Sequence, residues 1–346
     1  MVMCLAREIE LRTDYLEGET VETIYFGGGT PSAMPVVDIQ FLLKQMAKHF
    51  TIAEKPEITL EANPDDITPD NLKAWKDYGI NRLSIGIQAF QEHLLREWNR
   101  SHSAQQAAEA IALSQSEGFE NITADLIYGG AGLSDEDWES NIQKLLATGI
   151  PHISSYTLTV EKGTALDYQV EKGKVPAPDD EQANRQYASL QSALTHAGLI
   201  QYEVSNFAKP GFTSRHNMSY WKGVSYLGIG PSAHSYNKIS RQWNVAHNIK
   251  YIEALREGRI PSETEVLTLT QQYNERVMTG LRTSEGIDLE RIASLGILYL
   301  HYLEEQVHPY LQKGVIVRTG TDKLQLVAEH FFYADGIAAD LFYIDT

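Results

Sequence analysis

Apolar runs rich in β-branched residues alternate with segments of helical periodicity over the first 204 residues. The runs cover residues 21–26, 57–60, 82–87, 122–127, 152–159 and 202–204, and the clearest helical segments cover residues 39–50, 104–117 and 138–148. Each run has strand length, and each strand–helix–strand repeat is long enough for a crossover between parallel strands. The alternation therefore predicts an α/β fold with a parallel sheet, either open or closed into a barrel.

The predicted strands end in glycine or polar residues. Gly27-Gly28-Gly29-Thr30 follows the first run, Glu61 the second, Gln88 the third and Tyr128-Gly129-Gly130 the fourth. In parallel α/β folds the carboxyl ends of the strands form the edge at which ligands bind. Glycines there leave backbone N–H groups open to a ligand, although a tight strand-to-helix turn uses the same residue type. From the glycines alone, a binding loop and a simple turn both stay open.

Composition limits the class of protein. A chain of 346 residues with 42% hydrophobic residues is long enough for two domains. The formal net charge of −17 argues against a nucleic-acid or anionic membrane surface. No apolar run has the length of a membrane span and no signal peptide opens the chain, so we expect a cytoplasmic protein. The single cysteine, Cys4, excludes a disulfide within the chain and any metal site built from several of its thiolates.

Eight motifs occur in an order that resembles one family. The first five are YFGGGTPS at residues 25–32, EANP at 61–64, SIGIQAF at 84–90, NRSH at 99–102 and DLIYG at 125–129. Together they resemble the oxygen-independent coproporphyrinogen III oxidase-like radical SAM proteins. The other three are YEVSNFA at 202–208, RHNMSYW at 215–221 and GIGPSAHS at 228–235, which resemble the HemW heme-chaperone branch of that family. The resemblance covers essentially the whole chain.

The resemblance implies a partial (β/α) barrel of the radical SAM type over residues 1–245. A small, mainly helical C-terminal accessory domain with winged elements would follow over residues 246–346, with a short β element near residues 311–326. The implied cofactors are S-adenosylmethionine and a [4Fe–4S] cluster. The family's cluster loop, Cys-x-x-x-Cys-x-x-Cys, is not in this sequence.

The missing loop suggests that the chain starts too late, so we expect a barrel without its first strand and a cluster in the full-length protein only. Genuine loss of the loop is the alternative. Cys4 is spaced with Leu5, Ile9 and Leu11 as on one helix, which predicts a buried helix residue and not a cluster ligand.

The resemblance also implies a binding site for S-adenosylmethionine. Gly28, Gly29 and Thr30 would hold its amino group and methionine part, because carbonyls and a hydroxyl accept from an ammonium. Arg100 would bind the ligand carboxylate with its two-pronged guanidinium. The remaining family positions would bind ammonium or ribose hydroxyl groups: Glu61, Gln88 and Asp125. For Glu61, a solvated carboxylate at a strand end stays an alternative.

The second set of candidate site residues consists of His216, Asn217, Tyr220, Trp221 and His234. Imidazole ligates heme iron and aromatic rings pack against a porphyrin, and the family's His-Asn-x-x-Tyr-Trp signature is associated with heme binding. The alternative is that these rings only pack the barrel against the second domain.

Three functions follow as hypotheses. The chain is a heme chaperone that hands heme to acceptor proteins, an oxidase that decarboxylates coproporphyrinogen, or a cluster-free remnant that only binds ligands or partners. The signature at residues 216–221 favours the chaperone. No catalytic residue and no metal ligand can be assigned in this chain, and we expect no nucleic-acid partner and no stable membrane insertion.

Overall fold

The structure is a computed structural model, and it describes residues 1–344. The strands, in chain order, are β1 (Val21–Phe26), β2 (Ile52–Ala62), β3 (Arg82–Gln88), β4 (Asn121–Tyr128), β5 (His152–Thr157), β6 (Ile200–Glu203), β7 (Asn206–Ala208), β8 (His234–Tyr236), β9 (Ser240–Asn244), β10 (Ser262–Val266), β11 (Ile287–Asp288), β12 (Ile316–Thr319) and β13 (Lys323–Leu326). The helices are α1 (Val2–Leu11), α2 (Val36–His49), α3 (Pro69–Asp77), α4 (Glu92–Glu97), α5 (Ala104–Ser116), α6 (Asp135–Thr148), α7 (Ala165–Glu171), α8 (Asp180–His196), α9 (Arg215–Trp221), α10 (Asn248–Arg256), α11 (Leu269–Leu281), α12 (Leu289–Ala293), α13 (Ile297–Gln312) and α14 (Ala334–Asp340).

The main sheet has seven strands in the order β1-β2-β3-β4-β5-β7-β6. Strands β2 to β5 pair in parallel, and their in-register partners include Glu61 with Ser84 and Asp125 with Ser154. Side chains on one face of such a sheet therefore form polar rows that cross several strands. The curled, half-barrel arrangement of this sheet and the helical C-terminal segment confirm the predicted α/β fold of the radical SAM type.

The parallel pattern ends after β5. Strand β7 pairs antiparallel with β5, and β6 pairs antiparallel with β7. The apolar run at 202–204 was expected to be another parallel strand, but it belongs to this antiparallel hairpin because only two residues, Val204 and Ser205, separate β6 from β7. Such a short loop permits only antiparallel pairing.

Local sequence signals set the helix boundaries. Helix α5 begins after a capping box in which Ser103 and Gln106 bond each other's backbone N–H groups. Helix α6 begins at a Ser134 cap and ends at Gly149, which has a left-handed backbone (φ +73°). The buried faces of these helices supply apolar side chains such as Trp138 and Ile111, both fully buried. These signals place the loops that carry the site residues at fixed positions.

The chain folds into two compact units. The first contains Met1–Ile24, Met34–Glu57 and the residues from Ser214 onward, and the second contains Tyr25–Ala33 and Ile58–Thr213. A division of the family's domains at residue 245 stays a prediction.

Helix α1 belongs to the first unit. It confirms the expectation for Cys4, whose side chain is buried and packs in one cluster with Tyr251 and Leu255. Over residues 1–344, the structure contains no helix long and apolar enough to cross a membrane.

Candidate functional site

In the second unit, the glycine loop after β1 is tied to the end of β2 through Glu61. The Glu61 carboxylate accepts the Tyr25 hydroxyl at 2.6 Å and the Gly28 backbone N–H at 3.1 Å. Gly28 and Gly29 both have left-handed φ values, +76° and +72°, that strongly favour glycine. Thr30 follows them on the exposed end of the loop. Glu61 is therefore held by partners and is not a freely solvated strand end.

Asp125 lies on the polar row of the sheet. The Ser84 hydroxyl reaches both oxygens of its carboxylate, at 3.3 and 3.2 Å. Burial, followed by the negative charge of Glu61, raises the pKa of Asp125 to about 6, while hydrogen bonds from Ser154 and Ser84 and the charge of Arg82 act in the opposite direction. Two carboxylates that repel each other at the end of a parallel sheet favour a ligand with an ammonium or with hydroxyl donors.

Gln88 and Arg100 meet above Gly86. A Cβ atom built on Gly86 would lie 2.9 Å from Nε2 of Gln88 and 3.9 Å from Nη2 of Arg100. Gln88 itself has a left-handed backbone with φ +66°, an uncommon conformation for a residue with a side chain. Burial lowers the pKa of Arg100, and the nearby charge of Asp125 raises it. The Gln88 side chain thus lies over Gly86 in a position that a side chain at residue 86 would disturb.

These contacts link five of the residues predicted to bind S-adenosylmethionine, which we call the nucleoside site: Gly28, Glu61, Gln88, Arg100 and Asp125. Gly29 and Thr30 follow Gly28 in the same loop, and all of these residues belong to the second unit. Backbone N–H groups, two carboxylates, an amide and a guanidinium suit a ligand that carries an ammonium, a carboxylate and ribose hydroxyls, so the site fits S-adenosylmethionine. A cluster does not fit. Cys4 is the sole cysteine of the sequence, and the described residues contain no group of three or more His, Cys, Asp or Glu side chains able to hold a metal ion.

Four of the five residues of the second predicted set lie in the first unit on helix α9. Its start is held by Glu57, a buried carboxylate that accepts the backbone N–H groups of Arg215 at 3.0 Å and His216 at 2.9 Å. The Ser214 side chain caps the N–H of Asn217 at 3.2 Å. A carboxylate at this end satisfies donors that the helix leaves unpaired. Glu57 therefore fixes the position of His216.

Both ring nitrogens of His216 have hydroxyl neighbours. Nδ1 lies 2.9 Å from Oγ1 of Thr23, and Nε2 lies 3.1 Å from the hydroxyl of Tyr220. The His216 and Tyr220 rings make an edge contact with centroids 5.0 Å apart, and Tyr226 continues the aromatic row 4.6 Å further on. Burial and Tyr226 raise the pKa of Tyr220 to about 12, so its hydroxyl keeps its proton at neutral pH. His216 is half-buried and Tyr220 is exposed.

The other candidates have different surroundings. Trp221 lies beneath the Arg282 guanidinium, 5.2 Å from the ring centroid. His234 is exposed on β8, and its ring lies 6.4 Å from that of Trp243, so its aromatic contact is within a three-stranded sheet. The structure thus places His216, Asn217, Tyr220 and Trp221 on one helix and His234 on a separate element.

The sequence-based prediction missed several residues that hold these sites. Tyr25 and Ser84 lie within the quoted motifs, yet their roles become visible only through their partners Glu61 and Asp125. Glu57 gave a clearer signal, because a carboxylate at the start of the buried half of β2 needs a partner. No pattern identifies that partner, since it lies 159 residues away at His216.

Comparison with known proteins agrees with this architecture. Residues 5–145 match the radical SAM superfamily and residues 267–322 match the HemN C-terminal domain. The chain is 34% identical over 341 residues to the heme chaperone HemW of Mycobacterium tuberculosis, covering 98% of this chain and 85% of that protein. It is 34% identical over 275 residues to HemW of Bacillus subtilis, covering 79% and 73%.

Among solved structures, coproporphyrinogen III oxidase (HemN) from Escherichia coli superposes with a TM-score of 0.82 at 21% identity, covering 98% of this chain and 82% of that one. This likeness supports the fold. With the identity to the HemW proteins across nearly the whole chain, it shows that the chain belongs to the HemW branch of the HemN-like radical SAM proteins.

Proposed function

We propose that this chain is a heme-binding chaperone in which His216 ligates the iron. The observation that carries the proposal is the set of contacts of His216, a half-buried imidazole at the start of a helix. Its Nδ1 lies against the Thr23 hydroxyl, and its Nε2 faces Tyr220, the first ring of an aromatic row. Relatives at 34% identity bear the name heme chaperone. Heme is then the cargo of the protein.

The contacts prepare the imidazole for an iron. In the tautomer that carries its proton on Nδ1, His216 donates to Thr23, and the Nε2 lone pair accepts the Tyr220 hydroxyl. Such a second partner orients a ligating histidine and increases its basicity. When iron binds, Nε2 exchanges the Tyr220 hydroxyl for the metal. Tyr220 is partly exposed, so its hydroxyl can bond water once the iron has taken Nε2.

The nucleoside site supports this function by holding S-adenosylmethionine through Glu61, Arg100 and Asp125. That ligand would supply an adenosyl group and a charged amino acid for structural or regulatory use. Heme binding is the function that the contacts of His216 support best, and transfer of the heme to acceptor proteins follows from the chaperone role.

A hemin titration tests the proposal. We expect wild-type protein to give a Soret band typical of histidine ligation, and His216→Ala to lose that band and at least tenfold in affinity. The matched control is His196→Ala, which removes an exposed imidazole at the end of α8. Circular dichroism checks that each variant is folded. Unchanged spectra and affinity in His216→Ala would contradict the proposal.

Transfer requires a second measurement. Protein loaded with hemin is mixed with an apoprotein that binds heme more tightly, and the Soret shift of the acceptor is followed over time. We expect transfer faster than the release of heme into buffer alone, because a chaperone passes its cargo in a complex. A rate equal to spontaneous release would leave heme binding without chaperone activity.

A further inference from the structure

A cleft in the first unit lies against helix α9 and is lined by charged side chains. We call it the basic cleft, and it is defined by four cationic residues: Lys222, Arg276, Arg291 and Lys323. Two acidic residues, Glu285 and Asp288, also line it. An excess of positive charge is unusual in a chain whose formal net charge is −17. Such a cleft attracts anions.

The acidic residues do not neutralise the whole cleft. Glu285 is paired with Lys222 at 2.8 Å. Arg276 bonds the Arg291 backbone carbonyl and the Ser294 hydroxyl. Over residues 1–344, no carboxylate lies within ion-pair distance of Arg291 or Lys323. These two cations therefore keep their full capacity to bind an anion.

Two arginines that repel each other face the same space. Burial lowers the pKa of Arg276, and the positive charge of Arg291 lowers it further. Like-charge pairs in a cleft occur at functional sites, and an anion bound between two arginines removes their repulsion. Arginine is the side chain best suited to carboxylate groups, because its planar fork matches their two oxygens.

The cleft adjoins the heme signature. Met218 and Trp221 of α9 line it, and Trp221 is the last residue of the His-Asn-x-x-Tyr-Trp signature. Nη2 of Arg291 would lie 3.0 Å from a Cβ atom built on Gly223, so the guanidinium lies close to the end of α9. Successive residues of an α-helix point about 100° apart around its axis. His216 and Tyr220 therefore lie on one side of α9, Met218 and Lys222 lie on the other side, and Trp221 lies between the two.

We propose that the basic cleft binds the propionate carboxylates of the heme whose iron His216 ligates, with Arg291 and Lys323 as the contacting cations. The inference rests on the proposed heme-binding function and adds the part of the cargo that the protein recognises. Heme carries two propionates, and the side chains of Arg291 and Lys323 make no ion pair or hydrogen bond within residues 1–344, whereas Arg276 is held by the Arg291 carbonyl and Ser294 and Lys222 by Glu285. The apolar part of the macrocycle then contacts Trp221, and its acidic edge reaches the cleft.

The test compares hemin with hemin dimethyl ester, in which both propionates are uncharged. Affinities are measured by Soret titration in the same cosolvent for wild type, Arg291→Gln, Lys323→Gln and the control Lys313→Gln, which removes an exposed lysine outside the cleft. We expect wild type to prefer hemin, and each cleft variant to lose about three- to tenfold in hemin affinity with unchanged affinity for the ester. Lys313→Gln should match wild type. Added salt should weaken hemin binding and leave ester binding unchanged.

Failure of this inference and failure of the proposed function give different results. If wild type binds hemin and the ester with equal affinity and the Soret band still depends on His216, propionate binding in the basic cleft is contradicted and the proposed chaperone function is not. Loss of hemin affinity in Lys313→Gln equal to that in Arg291→Gln would also contradict propionate binding in the basic cleft, since the effect would then follow from net charge alone. A Soret band that His216→Ala leaves unchanged for both ligands would overturn both proposals. Because the Lys323 side chain makes no hydrogen bond within residues 1–344, Lys323→Gln tests the cleft even if Arg291→Gln does not fold.

Discussion

The nucleoside site and the α9 region carry opposite charge and are built in opposite ways. The nucleoside site is assembled from the ends of several strands and contains two carboxylates, Glu61 and Asp125, of which the first raises the pKa of the second. The α9 region is a seven-residue helix bordered by a basic cleft. The nucleoside site suits a ligand with an ammonium and hydroxyl groups, and the α9 region suits the iron and the carboxylates of the proposed heme. The comparison teaches that two ligands of different charge require two electrostatic environments on one chain.

The two regions also differ in what holds them. Neighbouring strands fix the nucleoside residues, so a change at one residue leaves the sheet in place. A helix of two turns has little stability of its own and depends on tertiary contacts. Glu57 supplies the main contact for α9. The α9 region should therefore be the more sensitive of the two to a single substitution.

The largest effect is expected for Glu57→Gln. The amide keeps one acceptor oxygen but turns an NH₂ group toward the N–H donors of α9, so buried donors lose their partner. We expect the free energy of unfolding to fall by about 3 kcal/mol, with a large loss of hemin affinity. Urea denaturation and hemin titration measure the two effects. Glu54→Gln, an exposed residue of the same strand, is the control. A stability equal to wild type would show that α9 does not depend on Glu57.

The next effect has the opposite sign and concerns Asp125→Asn. The pKa of Asp125 is raised from 3.8 to about 6, so the folded chain holds the proton more tightly than the unfolded chain. Between these two pH values the stability of wild type falls as pH rises, and the cost is complete above pH 6. We expect Asp125→Asn to be more stable than wild type by about 2 kcal/mol at neutral pH.

The pH dependence of Asp125→Asn is the sharper test. The gain should vanish in urea denaturation below the ordinary pKa of an aspartate, where both chains are uncharged at this position. The matched control is Asp77→Asn, which removes an exposed carboxylate outside the site. Asp125→Asn should also bind S-adenosylhomocysteine more weakly, because a buried carboxylate that lowers stability is retained for the binding of its ligand. A constant stability difference at all pH values would show that the shifted carboxyl group is not its cause.

A smaller effect is expected for Gly86→Ala. The added methyl group would meet Nε2 of Gln88 at 2.9 Å, which forces that flexible side chain into the ligand space. We expect affinity for S-adenosylhomocysteine to fall about tenfold, equivalent to about 1.4 kcal/mol, with hemin binding unchanged. Isothermal titration calorimetry measures the affinity. Gly336→Ala is the control, since nothing lies within 4 Å of its added Cβ atom. Equal affinity in Gly86→Ala and wild type would remove Gly86 from the site.

The smallest effect is expected for Thr23→Val. The substitution keeps the shape of the side chain and removes the hydroxyl next to Nδ1 of His216. We expect about threefold weaker hemin binding, because the imidazole loses the partner that fixes its tautomer. Thr51→Val, an exposed threonine of the same unit, is the control. Hemin affinity and the Soret maximum together distinguish this outcome from loss of the ligand itself.

Sequence patterns predicted the central strands well, because buried parallel strands are continuous apolar runs. β1 matches its predicted bounds, and β3 and β4 extend theirs by one or two residues. The start of β2 at Ile52 was not predicted, since Lys55 and Pro56 interrupt the apolar pattern. The β6–β7 hairpin was missed for a similar reason: two very short strands carry too little periodicity to show their direction.

For the candidate sites, the order of the strands predicted that their polar ends would meet. Contacts between side chains that are far apart in the sequence could not be predicted. The bond between Thr23 and His216, and the approach of Arg291 to Gly223, depend on how the chain packs and leave no pattern in the local sequence. The basic cleft is the clearest case, because its cations come from four separate segments.

The central claim is that His216 Nε2 binds the heme iron. Pulsed electron paramagnetic resonance of the ferric heme complex, on protein with ¹⁵N-labelled histidine, tests it most directly because the coupling reports a nitrogen bound to iron. We predict a ¹⁵N coupling in wild type and in His234→Ala, and its loss in His216→Ala. A coupling that persists unchanged in folded His216→Ala would contradict the account.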